Sequence, residues 1–374
     1  MRPLIATGAA LAAAALAATP AAAASSAPVP PQVPLTEVVD ALPLDEGSPA
    51  LYVLAVDTSG SMQESGAYPA VAAAITDVVA ALEPADRVSV VTFDVAPRQC
   101  GPGVFPASDR TEIAACLPPA ADGRYTDVGR AFEQVLTVLE ATAADVRTVV
   151  LISDGAHEPG PGSAYPAAAG DGPAWAALAA RARAVPDVSA YSLPLSGAAD
   201  GAAALGAVFP SPTELRAASP GEVRAALDVP AAAARRAQAR SVLAPDAAAG
   251  VTVEAPPAPD VGPEPVPWLL TLRSPASHVP WTVRGLVLDA GPGVEVSGLP
   301  PEVELTPGGA VAVTATLRAT GSAAPVGGPA RVRGSLASTW SGALDELGLD
   351  VPAEVAADLG DVEPVAAPPA GAVA

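Results

Sequence analysis

Asp57, Ser59 and Ser61 stand at i, i+2 and i+4, directly after the apolar run Leu51-Tyr-Val-Leu-Ala-Val56. Gly60 lets the chain turn sharply between the two serines. If a strand precedes this turn and a helix follows it, the three oxygen side chains converge at the strand's carboxyl end. Open α/β sheets place their ligands there. Three hard oxygen donors carrying a single charge suit Mg2+, which keeps several waters and takes few carboxylates. The same residues have a plainer reading, because Ser61-Met-Gln-Glu64 is a capping-box pattern that starts a helix. From these residues alone the cap and the metal site stand level.

The elements around this turn must supply the remaining ligands. Leu51–Val56 is apolar at nearly every position, as in a parallel strand covered on both faces. Val71, Ile75, Val78, Val79 and Leu82 follow at helical spacing, and Glu83-Pro84 ends that helix. Asp86–Asp94 is a second buried strand, and Ser108–Leu117 opens with a good helix cap. Thr126 opens a helix from Val128 to about Ala143, with Phe132, Val135, Leu136 and Leu139 on one face. Arg147–Ser153 is a third strand, ending in Asp154-Gly155. A Gly/Pro-rich loop, His157 to Pro173, leads to a helix around Trp175–Ala184 and a strand at Val188–Pro194. A weaker Ala-rich section, Ala202–Leu227, holds a small helix, a last strand and another helix. Strand and helix alternate, which predicts a doubly wound, mostly parallel α/β sheet. In such a sheet the strand ends share one edge, so Asp57, Ser59, Ser61, Thr126 and Asp154 meet there. Two carboxylates and three hydroxyls nearly neutralise a divalent cation and leave positions for water. One exchangeable position can take an acidic side chain of a partner.

Asp57-Thr-Ser-Gly-Ser resembles the Asp-x-Ser-x-Ser motif of the von Willebrand factor type A domain. Thr126 and Ile152-Ser-Asp154-Gly155 resemble that family's second and third motifs, in order. The resemblance covers roughly Ala50–Leu227. It implies a metal-ion-dependent adhesion site in which Ser59, Ser61 and Thr126 bind the ion directly, and Asp57 and Asp154 bind it directly or through water. Mg2+ is the expected ion, with Mn2+ and Ca2+ as alternatives.

After Pro245 the composition shifts. Short β-branched runs at Trp268–Leu272, Trp281–Leu288, Val294–Ser297, Val311–Leu317 and Val332–Leu336 are punctuated by prolines and glycines. They predict a smaller all-β sandwich, with Gly308-Gly309 as a hairpin turn. Trp268, Trp281 and Trp340 read as its core. The expected organisation is a secretory signal over 1–24, a Pro/Ser-rich linker over 25–48 and the α/β domain over 49–228. A helical spacer over 229–245, the sandwich-like domain over 246–352 and a Pro/Ala-rich tail over 353–374 follow. Of the remaining polar residues, Asp127 reads as a helix N-terminal acid and His157 as a surface histidine.

Composition bounds the function. The 374 residues carry a formal net charge of −21, contain no lysine and hold all 19 basic residues as arginine. Such a surface repels nucleic acid and anionic lipid. An Ala/Leu-rich segment after Arg2, with Thr19-Pro-Ala-Ala-Ala-Ala24 for cleavage, predicts export and no membrane span in the mature chain. The only cysteines, Cys100 and Cys116, are predicted to pair in that oxidising compartment. The reading that results is a secreted or envelope-associated, metal-dependent protein-binding module whose partner supplies an Asp or Glu carboxylate. A fixed structural component of the envelope is one alternative. A metal-dependent hydrolase or phosphotransferase is another, but Ser59 stands where an aspartate-nucleophile loop needs its second acid, and there is no Gly-x-Ser-x-Gly elbow. A non-enzyme is the expectation.

Overall fold

The computed structural model describes residues 31–44, 49–154, 157–166, 169–195, 200–217, 219–320 and 328–362. The predicted secretory signal, Gly155 of the third motif and the end of the C-terminal tail lie outside the described residues.

The α/β part is a seven-stranded sheet. Its strands are β1 (Leu51–Asp57), β2 (Arg87–Phe93), β3 (Pro97–Gln99), β4 (Phe105–Pro106), β5 (Arg147–Ser153), β6 (Val188–Pro194) and β7 (Thr213–Glu214). The order is β3-β2-β1-β5-β6-β7, with β4 also pairing with β2. β2, β1, β5, β6 and β7 run parallel, and only the short β3 and β4 are antiparallel. The mostly parallel sheet with flanking helices is the predicted fold.

The near-continuous apolar run of β1 has a direct cause. Tyr52, Leu54 and Val56 enter one core, and Leu51, Val53 and Ala55 enter the other, so both faces of the strand are covered. The first core is closed by α3 (Ala67–Ala81). It follows α1 (Leu35–Ala41) and α2 (Gly60–Glu64) in the chain and precedes α4 (Arg110–Ala114). The second core is closed by α5 (Val128–Ala141), α6 (Pro173–Ala184) and α7 (Asp200–Val208). Phe132 and Phe209 meet edge to face there, 5.8 Å between centroids.

Two antiparallel sheets form the second half. The remaining strands are β8 (Thr252–Glu254), β9 (Val266–Arg273), β10 (Trp281–Asp289), β11 (Val294–Ser297), β12 (Glu302–Leu305), β13 (Ala310–Ala319), β14 (Gly328–Ala337) and β15 (Glu354–Val362). One sheet has the order β12-β10-β14-β15 and the other β11-β13-β9-β8. Trp268, Leu270 and Leu272 alternate into the core from β9, and Trp281 and Val283 from β10. A bulge at Gly285, φ +60°, then shifts the phase of β10, so Leu286 and Leu288 become the inward residues. Gly308-Gly309 does not close a hairpin, which corrects the expectation. β12 and β13 lie in different sheets, so the turn carries the chain from one layer to the other.

Three boundaries differ from the sequence reading. The stretch read as an N-terminal linker contains α1, whose Leu35, Val38 and Val39 join the sandwich core together with Leu42 just past its end. Val33 also donates its N–H to the carbonyl of Thr339 at 2.9 Å. The stretch read as a spacer is the middle of α8 (Val223–Ala249), which contains Pro230 and Pro245. Its first half packs Val223, Ala226, Leu227 and Ala234 on the α/β core, and its second half packs Ala239, Leu243 and Ala247 on the sandwich core. A spacer with two buried faces is a shared structural element. Gln238 of α8 donates to Oδ1 of Asp86 at 3.0 Å, and Ala50 N–H donates to the same oxygen at 2.9 Å. Finally, the stretch read as the start of the tail is β15, the edge partner of β14. A last helix, α9 (Ser341–Glu346), lies between them.

The predicted disulfide is present. Cys100, in the loop before β4, bonds Cys116 just past α4, with the two Cα atoms 5.3 Å apart.

Candidate functional site

Each candidate ligand stands at the carboxyl end of a parallel strand or at the start of the helix behind it. Asp57 is the last residue of β1, and Asp154 follows the last residue of β5. Both are buried. Ser59 occupies the N-cap position of α2, and Ser61 lies in that helix's first turn. The Ser59 hydroxyl makes no capping bond. It meets the Ser61 hydroxyl instead, 3.1 Å away. The serines therefore face each other.

Asp57 is held from two sides. Its Oδ1 accepts the backbone N–H of Ser59 at 2.8 Å, and its Oδ2 accepts the hydroxyl of Ser153 at 2.8 Å. Ser153 was not singled out in the sequence. The signal was there, since it is the one polar residue at the end of the apolar run Val149–Ile152. Burial pushes the Asp57 carboxyl up to about 6. The hydrogen bonds from Ser59 and Ser153 work against that rise, and the charge of Asp154 adds to it.

Thr126 reaches the same edge through its backbone. Its N–H donates to the carbonyl of Glu158 at 2.8 Å, and Glu158 N–H returns a bond to the Thr126 carbonyl at 3.0 Å. The loop before it is tied to the β1 turn: Gly123 N–H donates to the Thr58 carbonyl and Gly60 N–H donates to the Gly123 carbonyl, each at 2.9 Å. Gly123 is required there because a Cβ would overlap Asp94 and lie 2.8 Å from the Thr58 carbonyl oxygen. Asp127 caps α5, accepting the Arg130 N–H at 3.1 Å, which is the helix role expected for it. So the structure links Asp57, Ser59 and Ser61 by hydrogen bonds, sets Asp154 near enough to act on Asp57, and laces the Thr126 loop to the same turn.

His157 is buried, which corrects the reading of it as a surface residue. Val128 N–H, the first of α5, donates to its Nδ1 at 3.3 Å, and its Nε2 lies 3.1 Å from the Pro166 carbonyl. Nδ1 also lies 3.2 Å from the Thr126 carbonyl, so the ring bridges the start of α5 and the Gly/Pro-rich loop. The ring stacks edge-on against Trp175, which also meets Tyr165. One polar residue in a Gly/Pro-rich loop gives no periodic signal, so its burial was invisible in the sequence.

The donor chemistry fits a hard divalent cation. The set is all oxygen, with two buried carboxylates at one sheet edge. Among the described residues, no cluster of three or more His, Cys, Asp or Glu offers a different metal site.

Residues 52–157 match the family model of the von Willebrand factor type A domain, a span that includes all five candidate ligands. No curated protein matches the chain. Among solved structures, a von Willebrand factor type A protein from Catenulispora acidiphila is 14% identical, with 85% of this chain and 67% of that one covered and a TM-score of 0.40. The corresponding domain of a type V pilus tip protein from Porphyromonas gingivalis is 12% identical, with 50% and 95% covered and a TM-score of 0.39. The pilus adhesin SpaC of Lactobacillus rhamnosus GG is 16% identical, with 84% and 43% covered and a TM-score of 0.42. This chain therefore spans less than half of that adhesin. No described helix is long and apolar enough to cross a membrane.

Proposed function

We propose that this chain is a divalent-cation-dependent protein-binding module, in which Asp57, Ser59, Ser61, Thr126 and Asp154 hold Mg2+ and a partner's Asp or Glu carboxylate completes the coordination. The observation that carries this reading is the assembly of oxygen donors at one sheet edge: Asp57 and Asp154 are buried there, the Ser59 and Ser61 hydroxyls face each other, and the Thr126 loop is bonded to the same turn. Two carboxylates ionised in such a place call for a positive counter-charge. Bound at the sheet edge, the ion supplies that charge and an exchangeable position for an anionic oxygen. The chain's own residues do the rest. Ser59 N–H and the Ser153 hydroxyl fix the Asp57 oxygens, and Gly123 and Glu158 fix the backbone on either side of Thr126.

Export supports the same reading. The segment 1–24 has the composition of a secretory signal, and the disulfide belongs to an oxidising compartment. We place the mature protein outside the cytoplasm or on the envelope, where a carboxylate-bearing protein surface is its partner. Capture rather than turnover is the proposed act.

The test is capture of carboxylate-bearing ligands with and without chelator. Asp57→Asn and Ser59→Ala should lose both Mg2+ and ligand while keeping the far-UV spectrum of the parent. Ligand binding that is indifferent to chelator would overturn the proposal.

A further inference from the structure

The large apolar side chains most exposed among the described residues are Val95, Tyr125, Val229, Leu269 and Val287. Val229, Leu269 and Val287 stand on separate elements, α8, β9 and β10. Val95 and Tyr125 do not stand apart. Val95 lies just past the end of β2, and Tyr125 immediately precedes Thr126. Both side chains pack against Gly160: a Cβ built on Gly160 would come 2.7 Å from Val95 Cγ2 and 3.3 Å from Tyr125 Cδ2. Gly160 thus leaves the two apolar side chains side by side, 36% and 41% exposed.

Tyr125 is also held in an unusual backbone state. Its φ is +65°, the left-handed region where glycine or asparagine ordinarily sits and where an aromatic residue is strained. That state is fixed on both flanks, by the Gly123 bonds to the β1 turn and by the paired bonds of Thr126 with Glu158. The same bonds that place the Thr126 ligand therefore turn the Tyr125 ring outward beside it. Two nearby arginines are engaged: Arg98 pairs with Asp94 at 2.6 Å, and Arg130 donates to the carbonyls of Val95 and Gly162. The exposed charged residues Arg124 and Glu158 border this apolar pair.

We propose that Tyr125 and Val95 form an apolar platform that receives a hydrophobic side chain flanking the partner's coordinating carboxylate. The preferred partner segment is then an Asp or Glu with Leu, Ile, Val or Phe within two residues of it, rather than an isolated acid on a polar surface. This specificity rests on the cation-site reading above, which supplies the anchor for the carboxylate. The hydrophobic neighbour gains by leaving water, as buried apolar surface does at the centre of protein interfaces.

The experiment selects phage-displayed nine-residue peptides, random except for a fixed central aspartate, on the full chain in Mg2+. A second library with a fixed central asparagine runs in parallel, and both are repeated in chelator. The wild type should enrich the aspartate library over the asparagine library, in Mg2+ only. It should also enrich apolar residues within two positions of the aspartate, by about 5-fold or more over their input frequency. Tyr125→Gly, which suits the left-handed backbone, and Val95→Ser should keep the preference for aspartate and lose the apolar one. Aspartate selected with no apolar preference, or an apolar preference unchanged in both variants, overturns the platform and leaves the cation site standing. Aspartate selected equally in chelator overturns the cation site, while loss of the apolar preference in the variants would still support the platform. No enrichment in either library overturns both.

Discussion

The backbone N–H of Gly60 lies 2.9 Å from the carbonyl oxygen of Gly123. Through that bond, and its neighbour from Gly123 N–H to the Thr58 carbonyl, the turn that carries Ser59 and Ser61 and the loop that carries Thr126 become one unit. These are the first and second motifs of the candidate site, more than sixty residues apart in sequence.

Gly123→Ala should therefore damage the site without touching a ligand. The added methyl would overlap Asp94 and crowd the Thr58 carbonyl, so the loop must move away from the β1 turn. We expect a loss of about 1–3 kcal/mol in stability and about 10–100-fold weaker Mg2+ binding. Denaturant melts and calorimetry check the two effects. An unchanged Mg2+ affinity would show that this lacing does not position Thr126.

His157→Ala should unseat the start of α5. Val128 N–H keeps only the Thr126 carbonyl, 3.2 Å away, and Trp175 loses its edge-to-face neighbour. Together these should cost about 2–4 kcal/mol, the sum of a lost buried hydrogen bond and a cavity. Urea unfolding measures it, and a midpoint equal to wild type would contradict the buried role given to this ring.

Removing the disulfide should weaken the fold but spare the site. The bridge spans a sequence separation of 16, and neither cysteine is a candidate ligand. A loop of that size is worth about 3 kcal/mol. The Cys100→Ser/Cys116→Ser double variant should melt earlier and bind Mg2+ with unchanged affinity. A matched loss of affinity would mean that the bridge also shapes the site.

The Asp57 carboxyl sets a pH window. Its value is about 6 in the folded chain against an ordinary 3.8, so between the two the folded state keeps a proton that the unfolded state has released. Raising the pH through that window costs the metal-free fold stability, and the full cost is present above about 6. Mg2+ needs the ionised form, so its affinity should rise through the same window and level off above it. Asp57→Asn should stabilise the metal-free protein at pH 8 and give no such gain at pH 4. Thermal melts in chelator at both values test the sign, and an equal gain at both would contradict it.

The α/β half was legible because its signals are local. β1 and β5 are largely apolar runs that end in polar residues, and a parallel sheet must put those ends on one edge. The ligand set followed from that edge. What escaped depends on distant partners. Glu354–Val362 alternates poorly and holds three acids and a glycine, so only its pairing with β14 makes it a strand. Leu35, Val38, Val39 and Leu42 do have helical spacing, but α1 is only seven residues long and its apolar face is covered by a domain that begins two hundred residues later. Tyr125 showed nothing in sequence, because neither its left-handed backbone nor its nearness to Val95 leaves a local pattern.

The most direct measurement is a calorimetric titration of Mg2+ into the chelator-stripped full chain at pH 8, beside Ser59→Ala. The wild type should show saturable binding at a single site. The variant should bind at least about 10-fold more weakly with an unchanged far-UV spectrum. A wild type that takes up no Mg2+, or a variant whose titration superimposes on it, would contradict the account.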